Sequence, residues 1–380
     1  MNNKKSKILI VTDHYFPSEN AGGPLISIKN LVLNFKDKFD FSIYTRNHDV
    51  NSSETLKDIE FDKWVKYEST DVFYASHFHL VEIRKMVKNF DDIYLNSFFS
   101  PLTISFLLAT VFLRKKLIIA PRGEFSPRAL KLKSFKKNCY IKFFKHFLNK
   151  TNVIFQSTSP EETSNILSIF PKQNVYVAQN IPDFPEYGSL NQAGSECLKL
   201  IHHSRIVPKK NLLYFLELLN LINIQRKVEF LIYGNIEDQA YWKQCQREIE
   251  QIENPLLSVV YLGALKSSDK FECLSKSHVG VQPTLGENFG HSIFECFASN
   301  LHVVVGIDTP WQDLNSNEVG INLTLDKVSD SKKLEDYIET FEINNKNKKA
   351  YNYALKKYKT ILKTSNYNEL FSSVESQKTF

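Results

Sequence analysis

The sequence predicts an α/β protein with two tandem domains, each built on a parallel sheet with helices on both faces. Short apolar runs recur along the chain and alternate with stretches of helical periodicity, a pattern typical of parallel sheets. The alternation is interrupted between residues 178 and 194, where Pro182, Pro185, Gly188 and Gly194 stand among polar residues and suggest a linker. The length of 380 residues suits about two domains.

Each domain is predicted to start with a strand, a loop and a helix. In the first domain the predicted strands are 7–12, 41–45, 92–95, 117–120 and 153–156, and the predicted helices are 25–35, 78–89 and 103–113. In the second domain the predicted strands are 198–203, 228–233, 258–262, 278–282 and 302–306, and the predicted helices are 212–224, 240–251 and 267–275. The tail from residue 334 is helix-prone. A stripe of Tyr351, Leu355, Tyr358 and Leu362 in the tail indicates core packing.

Composition excludes several classes of protein. The hydrophobic share of 42% and charged share of 24% are ordinary for a globular protein and exclude disorder. The five cysteines form no CxxC pair, which disfavours a disulfide framework or zinc site and suits a reducing cytosol. The start of the chain lacks a signal-peptide pattern, and the apolar run 102–113 is shorter than the roughly 20 residues of a spanning helix. We therefore expect a cytoplasmic protein. A peripheral location at the inner face of the cytoplasmic membrane is compatible with this expectation.

The strongest motif is the string 283–295, which follows a predicted strand and opens a predicted helix. Gly290 lets the backbone approach a ligand closely. The unpaired N–H groups and positive dipole end of a helix start favour an anion. Glu287 lies in the loop and Glu295 lies two turns into the helix, where a carboxylate can accept two sugar hydroxyls. A surface loop with a capping carboxylate is the alternative interpretation.

Two further motifs follow the first strand of each domain. Arg205 and Lys210 follow the strand 198–203. Two cations at a strand end suit a diphosphate, since arginine offers forked hydrogen bonds and lysine a point charge. Gly22 and Gly23 stand between the first strand and first helix of the chain, where they allow close backbone approach. An ordinary basic loop and an ordinary turn are the alternatives.

These strings resemble the retaining glycosyltransferases of family 4 (GT4), which have the GT-B fold. Glu287 and Glu295 match the E-x7-E motif of that family, and Arg205 and Lys210 match its R-x4-K motif. The resemblance covers most of the chain. It is most specific between residues 200 and 314 and looser in the first domain.

The resemblance implies three parts of a GT-B protein. Residues 1–185 would form an acceptor-binding Rossmann-like domain, residues 186–360 a nucleotide-sugar-binding Rossmann-like domain facing it across a cleft, and residues 361–380 a helix that returns to the first domain. It implies transfer of a sugar from a nucleoside-diphosphate donor to a hydroxyl of a glycan, with retention of anomeric configuration. No metal or other cofactor is expected, and the chain has no D-x-D or HExxH sequence.

The resemblance also implies a role for each motif residue. Arg205 and Lys210 would stabilise the leaving diphosphate, since preorganised charge is usually the largest catalytic term. Glu287 would hold hydroxyls of the transferred sugar, and Glu295 would accept from the ribose. The residues assigned to the donor are Glu295, Asn288, Phe289, Gly290, Gly22 and Gly23.

The string after the strand 117–120 departs from the family pattern. Many relatives carry a histidine near this position that contacts the transferred sugar, whereas this chain has Arg122. No histidine role therefore carries over. Arg122, Gly123 and Glu124 are predicted to line the cleft on the acceptor side, and a salt-bridged pair at a strand end is the alternative.

The segment 128–150 is basic and rich in aromatic residues. Such a segment can lie on an anionic membrane, with its aromatic rings at the headgroup level. A solvated helix with its aromatic side in the core is the alternative. The resemblance favours a lipid-linked glycan as the acceptor. Nucleic acid is not expected, because no nucleic-acid-binding module is present.

The resemblance implies a setting in the assembly of lipopolysaccharide O-antigen, capsule or exopolysaccharide. Two rival functions stay open on the same fold: a catalytically inactive nucleotide-sugar-binding subunit, and another GT-B enzyme such as a sugar-nucleotide epimerase. An NAD-dependent enzyme is disfavoured, since no G-x-G-x-x-G follows the first strand.

Overall fold

The computed structural model describes residues 5–18, 23–50, 52, 54–131, 134–148, 153–185, 196–266, 269–343 and 347–372. The chain divides into two compact units, one formed by Met1–Ile181 with Ile361–Phe380 and the other by Pro182–Thr360. The division falls slightly earlier than residue 185, where the sequence placed it. The return of the end of the chain to the first unit is as predicted.

The first unit contains an eight-stranded sheet in its described part. Its strands are β1 (Ser6–Val11), β2 (Phe39–Arg46), β3 (Trp64–Tyr67), β4 (Thr70–Ala75), β5 (Asp92–Asn96), β6 (Lys116–Ala120), β7 (Val153–Ser157) and β8 (Asn174–Val177). The order is β3-β4-β2-β1-β5-β6-β7-β8. The edge strand β3 runs antiparallel to β4, and the other neighbours are parallel. Strands β5, β6 and β7 are buried along their whole length, as expected for parallel strands covered on both faces.

Helices cover both faces of this sheet. They are α1 (Gly23–Phe35), α2 (Leu80–Lys88), α3 (Pro101–Phe112), α4 (Pro127–Lys131), α5 (Ser134–Leu148) and α6 (Pro160–Ile169). The start of α3 shows the local cause of helix formation. The Ser100 side chain accepts a hydrogen bond from the Leu102 N–H, and Pro101 occupies the first helical position. Most of the apolar side chains of α3 are buried in the core, where they pack against α2 and the sheet.

The second unit contains a six-stranded parallel sheet in its described part. Its strands are β9 (Leu198–His203), β10 (Val228–Tyr233), β11 (Leu257–Tyr261), β12 (Val279–Gln282), β13 (His302–Val305) and β14 (Gly320–Asn322), in the order β11-β10-β9-β12-β13-β14. Its helices are α7 (Leu212–Leu221), α8 (Gln239–Glu250), α9 (Lys270–Ser275), α10 (His291–Ala298), α11 (Lys327–Thr340) and α12 (Lys349–Thr364), the last of which runs on into the first unit. This is the doubly wound order, in which ligands bind beyond the carboxyl ends of the strands where the order reverses. Here that point lies between β9 and β12.

A last helix, α13 (Tyr367–Ser372), completes the first unit. Tyr367 and Phe371 are buried, and the ring of Phe371 packs edge-on against Phe39 and Tyr94. The Lys116 Nζ donates to the Leu370 carbonyl oxygen at 2.7 Å. These contacts make the helix part of the core.

The described structure differs from the sequence prediction at a few elements. Strands β3, β4, β8 and β14 and helix α6 were not predicted, and the predicted helix start at 267 lies outside the described residues. The predicted stripe on α12 is displaced: Tyr351 and Tyr358 are half-buried, whereas Tyr353 and Ala354 fill the core. None of the helices in the described ranges has the length and apolarity needed to cross a membrane.

Candidate active site

The loops that follow β9 and β12 meet at the carboxyl edge of the second sheet. After β9 the chain makes a 3₁₀ turn, Pro208–Lys210, and Asn211 then adopts a left-handed conformation (φ 58°) at the start of α7. The carbonyl oxygen of Lys209 accepts the Leu285 N–H at 3.0 Å and the Thr284 hydroxyl at 3.2 Å. These bonds fix the two loops to each other at the point where the strand order reverses.

Lys210 and Glu287 form an ion pair across these loops. The Lys210 Nζ lies 2.6 Å from Glu287 Oε1, and the two side chains are only 15% and 16% exposed. Burial alone would raise the pKa of Glu287, but the charge and hydrogen bond of Lys210 outweigh burial and lower it. The site therefore presents an ionised carboxylate and an ammonium side by side. Together they can bind a ligand that carries both hydroxyls and negative charge.

Arg205 lies apart from this pair. Its guanidinium donates to the Glu237 carboxylate, with Nη1 3.0 Å from Oε2, and its side chain is 58% exposed. The structure thus gives the two cations of the predicted motif different partners, Glu237 for Arg205 and Glu287 for Lys210. Their joint action on a diphosphate stays a prediction.

The string 288–290 forms the entry into α10. Gly290 has φ 77°, and a Cβ there would lie 2.8 Å from the Ile293 Cδ1, so both the backbone and the space favour glycine. Asn288 is exposed, while Phe289 packs edge-on against Trp311, whose indole N–H donates to the Phe289 carbonyl oxygen at 2.5 Å. The helix N-terminus is thereby held beside Glu287, where an anion is favoured.

Glu295 is buried on the first turns of α10 and has two charged or polar partners. Its Oε1 accepts from the Lys270 Nζ at 2.7 Å, and its Oε2 accepts from the His203 Nε2 at 3.1 Å. Although burial disfavours the charged carboxylate, Lys270 and His203 outweigh it and lower the pKa of Glu295 to about 2. Lys270 also donates to Asp183 at 3.2 Å.

A short polar chain fixes the His203 ring. The Gln282 Nε2 lies 3.2 Å from the His203 Nδ1, and the Gln282 Oε1 accepts from the Ser292 hydroxyl at 3.1 Å. The contact with Gln282 at Nδ1 keeps the ring oriented with its Nε2 toward Glu295. Sequence reasoning missed His203 and Lys270. The signal available was a pair of adjacent histidines at a strand end and a lysine at a helix start.

In the first unit, Arg122 lies at the end of β6 inside a hydrogen-bonded network. It has a left-handed backbone (φ 53°). Its guanidinium donates to Asn96 Oδ1 at 2.7 Å, to the Tyr94 hydroxyl at 3.1 Å and to Asn180 Oδ1. Nearby, the Gln156 Nε2 donates to the Tyr367 hydroxyl of α13 at 3.1 Å. Arg122 therefore helps to hold neighbouring strand ends and the segment near 180 together.

Gly123 and Glu124 anchor loops. The Gly123 N–H donates to Glu162 Oε1 at 2.6 Å. Glu124 accepts from the Ser97 hydroxyl at 2.6 Å and from the Phe98 N–H at 2.5 Å, and burial raises its pKa. In this described region the alternative of an Arg122–Glu124 salt bridge is wrong, because each side chain binds other partners. Contact of these residues with an acceptor stays a prediction.

The remaining predicted donor residues are at the start of α1. Gly22 lies outside the described residues. Gly23 is the first residue of the helix, and its carbonyl oxygen accepts from the Ser27 hydroxyl at 3.0 Å. Their role in donor binding stays a prediction.

A polar cluster that the sequence did not reveal lies at the carboxyl ends of β1 and β2. The Asp13 Oδ1 accepts from the Arg46 Nε at 2.9 Å and from the Ser100 hydroxyl at 2.6 Å. Beside them the rings of His14 and His48 meet edge-on, with centroids 5.6 Å apart. The cluster joins residues from three loops. No local sequence pattern brings such residues together.

Neither of two surface cavities is lined by the motif residues. One, of about 610 Å³, lies between α2 and the β3–β4 hairpin around Trp64, and the other, of about 550 Å³, lies around His278 and His302. Within the described ranges, the side chains form no cluster of three or more histidine, cysteine or acidic groups suited to a metal ion.

Comparison with known proteins relates this fold to glycosyltransferases. Residues 191–358 match the family model described as glycosyl transferases group 1. The HepE protein (Alr3699) of Anabaena, solved in complex with UDP and glucose, aligns over 97% of this chain and 100% of its own, with a TM-score of 0.70 at 15% identity. No relative is found among curated protein sequences.

Other solved structures agree on the fold. Sucrose-phosphate synthase of Thermosynechococcus elongatus aligns over 97% of this chain and 100% of its own, with a TM-score of 0.67 at 13% identity. A glycosyltransferase of Rickettsia africae aligns over 98% and 99%, with a TM-score of 0.66 at 15% identity. The chain has the GT-B fold of these proteins, as the sequence predicted. The family match falls on the unit that carries Lys210, Glu287 and Glu295, and supports a group 1 glycosyltransferase.

Proposed function

We propose that this protein transfers a sugar from a nucleoside-diphosphate donor to a hydroxyl of a glycan acceptor, with retention at the anomeric carbon, as the GT4 family does. The observation that carries the proposal is the half-buried Lys210–Glu287 pair at the reversal of strand order in the second unit. The family match over 191–358 supports it. A nucleotide-sugar donor is further supported by the HepE structures, which contain UDP and UDP-glucose.

In the proposed mechanism the charges of the second unit stabilise the leaving group. Lys210 and the N-terminus of α10 face the diphosphate, and Glu287 holds hydroxyls of the transferred sugar. The bond from the anomeric carbon to the diphosphate oxygen breaks as the acceptor oxygen bonds to the same face of that carbon. The acceptor proton passes to the departing phosphate. Fixed donors of this kind need no reorganisation as charge develops, so they lower the barrier more than mobile water does.

In this proposal Arg205 also binds the diphosphate. Its exposed pairing with Glu237 is weak, since surface ion pairs typically contribute about 0–1 kcal/mol. A bound diphosphate can therefore draw the guanidinium away at small cost. The reaction so described uses fixed cations and needs no metal, and full activity in excess EDTA is the expected result.

A lipid-linked glycan is the proposed acceptor, and helix α5 supports a membrane location. One face of the helix packs Tyr140, Ile141 and Phe144 into the core. The opposite face exposes Phe135 (80%) and Phe143 (51%), two turns apart. Lysines 131, 136, 142 and 145 are exposed around these rings. This combination of exposed aromatic rings and positive charge fits the headgroup region of an anionic membrane.

The membrane part is tested with vesicles. Binding to phosphatidylglycerol vesicles, weak to phosphatidylcholine and reduced by salt, is expected of the purified protein. Replacing both Phe135 and Phe143 by serine should abolish it. Phe112→Ser removes an equally exposed ring on α3 and should leave binding unchanged. Equal loss in both variants would contradict a specific membrane face.

The setting we propose is bacterial surface-polysaccharide assembly, such as lipopolysaccharide O-antigen, capsule or exopolysaccharide. It follows from the acceptor class and the membrane face. Transfer to an undecaprenyl-linked glycan, rather than to a soluble sugar, is the outcome that would support it.

The donor site is tested by thermal unfolding with UDP, GDP, ADP, dTDP and CDP, followed by assays with the matching sugar nucleotides. A nucleotide at 100 times its Kd stabilises the folded protein by about 2.7 kcal/mol. Stabilisation by one base, with release of that nucleoside diphosphate in the presence of acceptor, is expected. Binding without transfer would favour the inactive subunit, and interconversion of the free sugar nucleotide would favour an epimerase.

A further inference from the structure

The buried cluster around Glu295 contains a lysine that lies outside the motif strings of the sequence. Lys270 begins α9, and its side chain is buried with the Nζ 2.7 Å from Glu295 Oε1 and 3.2 Å from Asp183 Oδ2. The other oxygen of Glu295 accepts from His203. Each carboxylate oxygen thus has its own donor, and the orientation of the carboxylate is fixed from two sides.

This arrangement leaves hydrogen-bonding capacity on Glu295. An ionised carboxylate offers about four acceptor positions. Lys270 and His203 occupy two of them. The Glu295 side chain also remains 8% exposed. A ligand that approaches there meets acceptors whose direction is already set, so it does not have to order them.

The charge of the cluster selects the kind of ligand. Glu295 and Asp183 contribute two carboxylates and Lys270 a single ammonium, and the ring of His203 contacts Glu295 through Nε2. Carboxylates, which only accept hydrogen bonds when ionised, therefore outnumber the lysine in this cluster. An ionised phosphate offers these carboxylates no donor, whereas hydroxyl groups can donate to them. Phosphates are favoured instead beside Lys210.

We propose that Lys270 is a positioning residue for nucleotide recognition, which orients Glu295 to accept both ribose hydroxyls and so selects ribonucleotides over deoxyribonucleotides. This inference rests on the proposed function, in which Glu295 meets the ribose. Lys270 itself does not touch the nucleotide. Its removal frees the carboxylate to rotate or to take up a proton, and the hydroxyl contacts are then lost.

The test measures Kd by calorimetry for UDP, GDP and ADP, each beside its 2′-deoxy form. The wild-type protein is expected to bind one ribonucleotide at least tenfold more tightly than the deoxy form, since a site built for a hydroxyl rejects a ligand that lacks it. Glu295→Gln should lose most of this preference. Lys270→Met should lose it to a similar degree, and Lys270→Arg, which keeps a charged donor, should retain most of it.

A control variant and a folding check complete the experiment. Lys276→Met removes an exposed lysine, paired with Glu272, at the end of the same helix and should leave the preference unchanged. If Lys270→Met does not fold by circular dichroism, Lys270→Leu takes its place, because it also lacks a donor for Glu295.

The outcomes separate the two proposals. A wild-type protein that binds none of these three nucleotides and is not stabilised by CDP or dTDP overturns the donor site together with the role of Lys270. Equal binding of ribo and deoxy forms leaves the donor site in place and overturns the recognition of ribose by Glu295 and Lys270. A wild-type preference that disappears in Glu295→Gln but persists in the folded Lys270 variant overturns the role of Lys270 alone. A general loss of affinity with an unchanged ribo-to-deoxy ratio also overturns it, because that is the result of a purely structural role.

Discussion

The strand-end loops of the two units use charged residues in different ways. In the second unit Lys210 and Glu287 bind each other across two loops at the open edge of the sheet. In the first unit Arg122 and Glu124 bind amides and hydroxyls of the scaffold. Both pairs follow a strand, and both were candidate site residues. From this difference we expect the partner of a charged group, rather than its place after a strand, to distinguish a ligand site from a loop anchor.

The largest expected effect is on catalysis in the second unit. Lys210→Met should lower kcat/KM for transfer on the order of 10²–10³-fold, as the loss of one preorganised donor to a developing anion does. The measurement is steady-state transfer with the sugar nucleotide that the thermal unfolding and transfer assays select.

Lys209→Met is the matched control for this prediction. Lys209 lies in the same turn with its side chain exposed, and its loop contacts are made by its backbone oxygen. In Lys209→Met, kcat/KM for transfer should change less than threefold. Equal losses in both variants would mean that general positive charge, and not the position beside Glu287, matters.

The second effect is on stability in the first unit. Glu124→Ala removes the acceptor for the Ser97 hydroxyl and the Phe98 N–H in a buried region, and unsatisfied groups of this kind cost about 1–3 kcal/mol each. Denaturant unfolding should report a loss of about 2–6 kcal/mol. If the variant kept its stability but lost much of its affinity for the acceptor, Glu124 would be a ligand residue rather than a loop anchor.

The pH dependence should differ in sign between the units. Asp92 is buried beside Lys116, and burial raises the pKa of its carboxyl to about 6 from the usual 3.8. The folded first unit therefore holds a proton that the unfolded chain has lost, and its stability should rise as pH falls from about 6 toward about 4. In the second unit the pKa of Glu295 is lowered to about 2 from 4.5, so stability should fall as pH drops below about 4.5.

Urea unfolding at pH values from 3 to 7, followed by probes in each unit, checks these signs. Asp92→Asn should remove the rise in the first unit, and Glu295→Gln should flatten the fall in the second. If the stability of the first unit fell, rather than rose, as the pH was lowered from 6 to 4.5, the assignment to Asp92 would be wrong.

The smallest expected effect concerns the exposed cation. Glu237→Gln should change the free energy of unfolding by less than about 1 kcal/mol, because exposed ion pairs contribute little. The measurement is the denaturation midpoint. A larger loss would show that the Arg205–Glu237 pair is a structural anchor like Glu124, and would weaken the view that a diphosphate displaces it.

Much of the fold could be predicted because most strands are buried on both faces. Strands β1 and β6 contain continuous apolar runs, 8–11 and 117–120, and their bounds agree with the prediction to within one residue. The edge strands β3 and β8 are short and half-exposed, so they have no such run and were missed. Burial on both faces produces the sequence signal, and edges lack it.

The site was predicted in part for a related reason. Glu287 and Lys210 stand within compact motifs, so their spacing is visible in the sequence. The partners of Glu295 are Lys270 and His203, which are separated from it by 25 and 92 positions. Only the strand order brings them together. The prediction that Arg122 and Glu124 line the cleft stays a prediction. The alternative of a salt bridge between them is wrong, because with left-handed backbone at Arg122 and Gly123 the two side chains bind different partners.

The place of α13 in the first unit affects the order of synthesis. Phe371 packs against the rings of Phe39 and Tyr94 in the first unit. The ribosome reaches Phe371 only after it has translated the whole of Pro182–Thr360. At roughly 5–20 residues per second, the intervening stretch takes on the order of ten to forty seconds to translate. The first unit therefore lacks α13 while the second unit is being translated. During that time the surface around Lys116, which α13 contacts in the folded protein, stays exposed. Nascent chains stalled before residue 361 should be cleaved by protease in the first unit sooner than full-length chains.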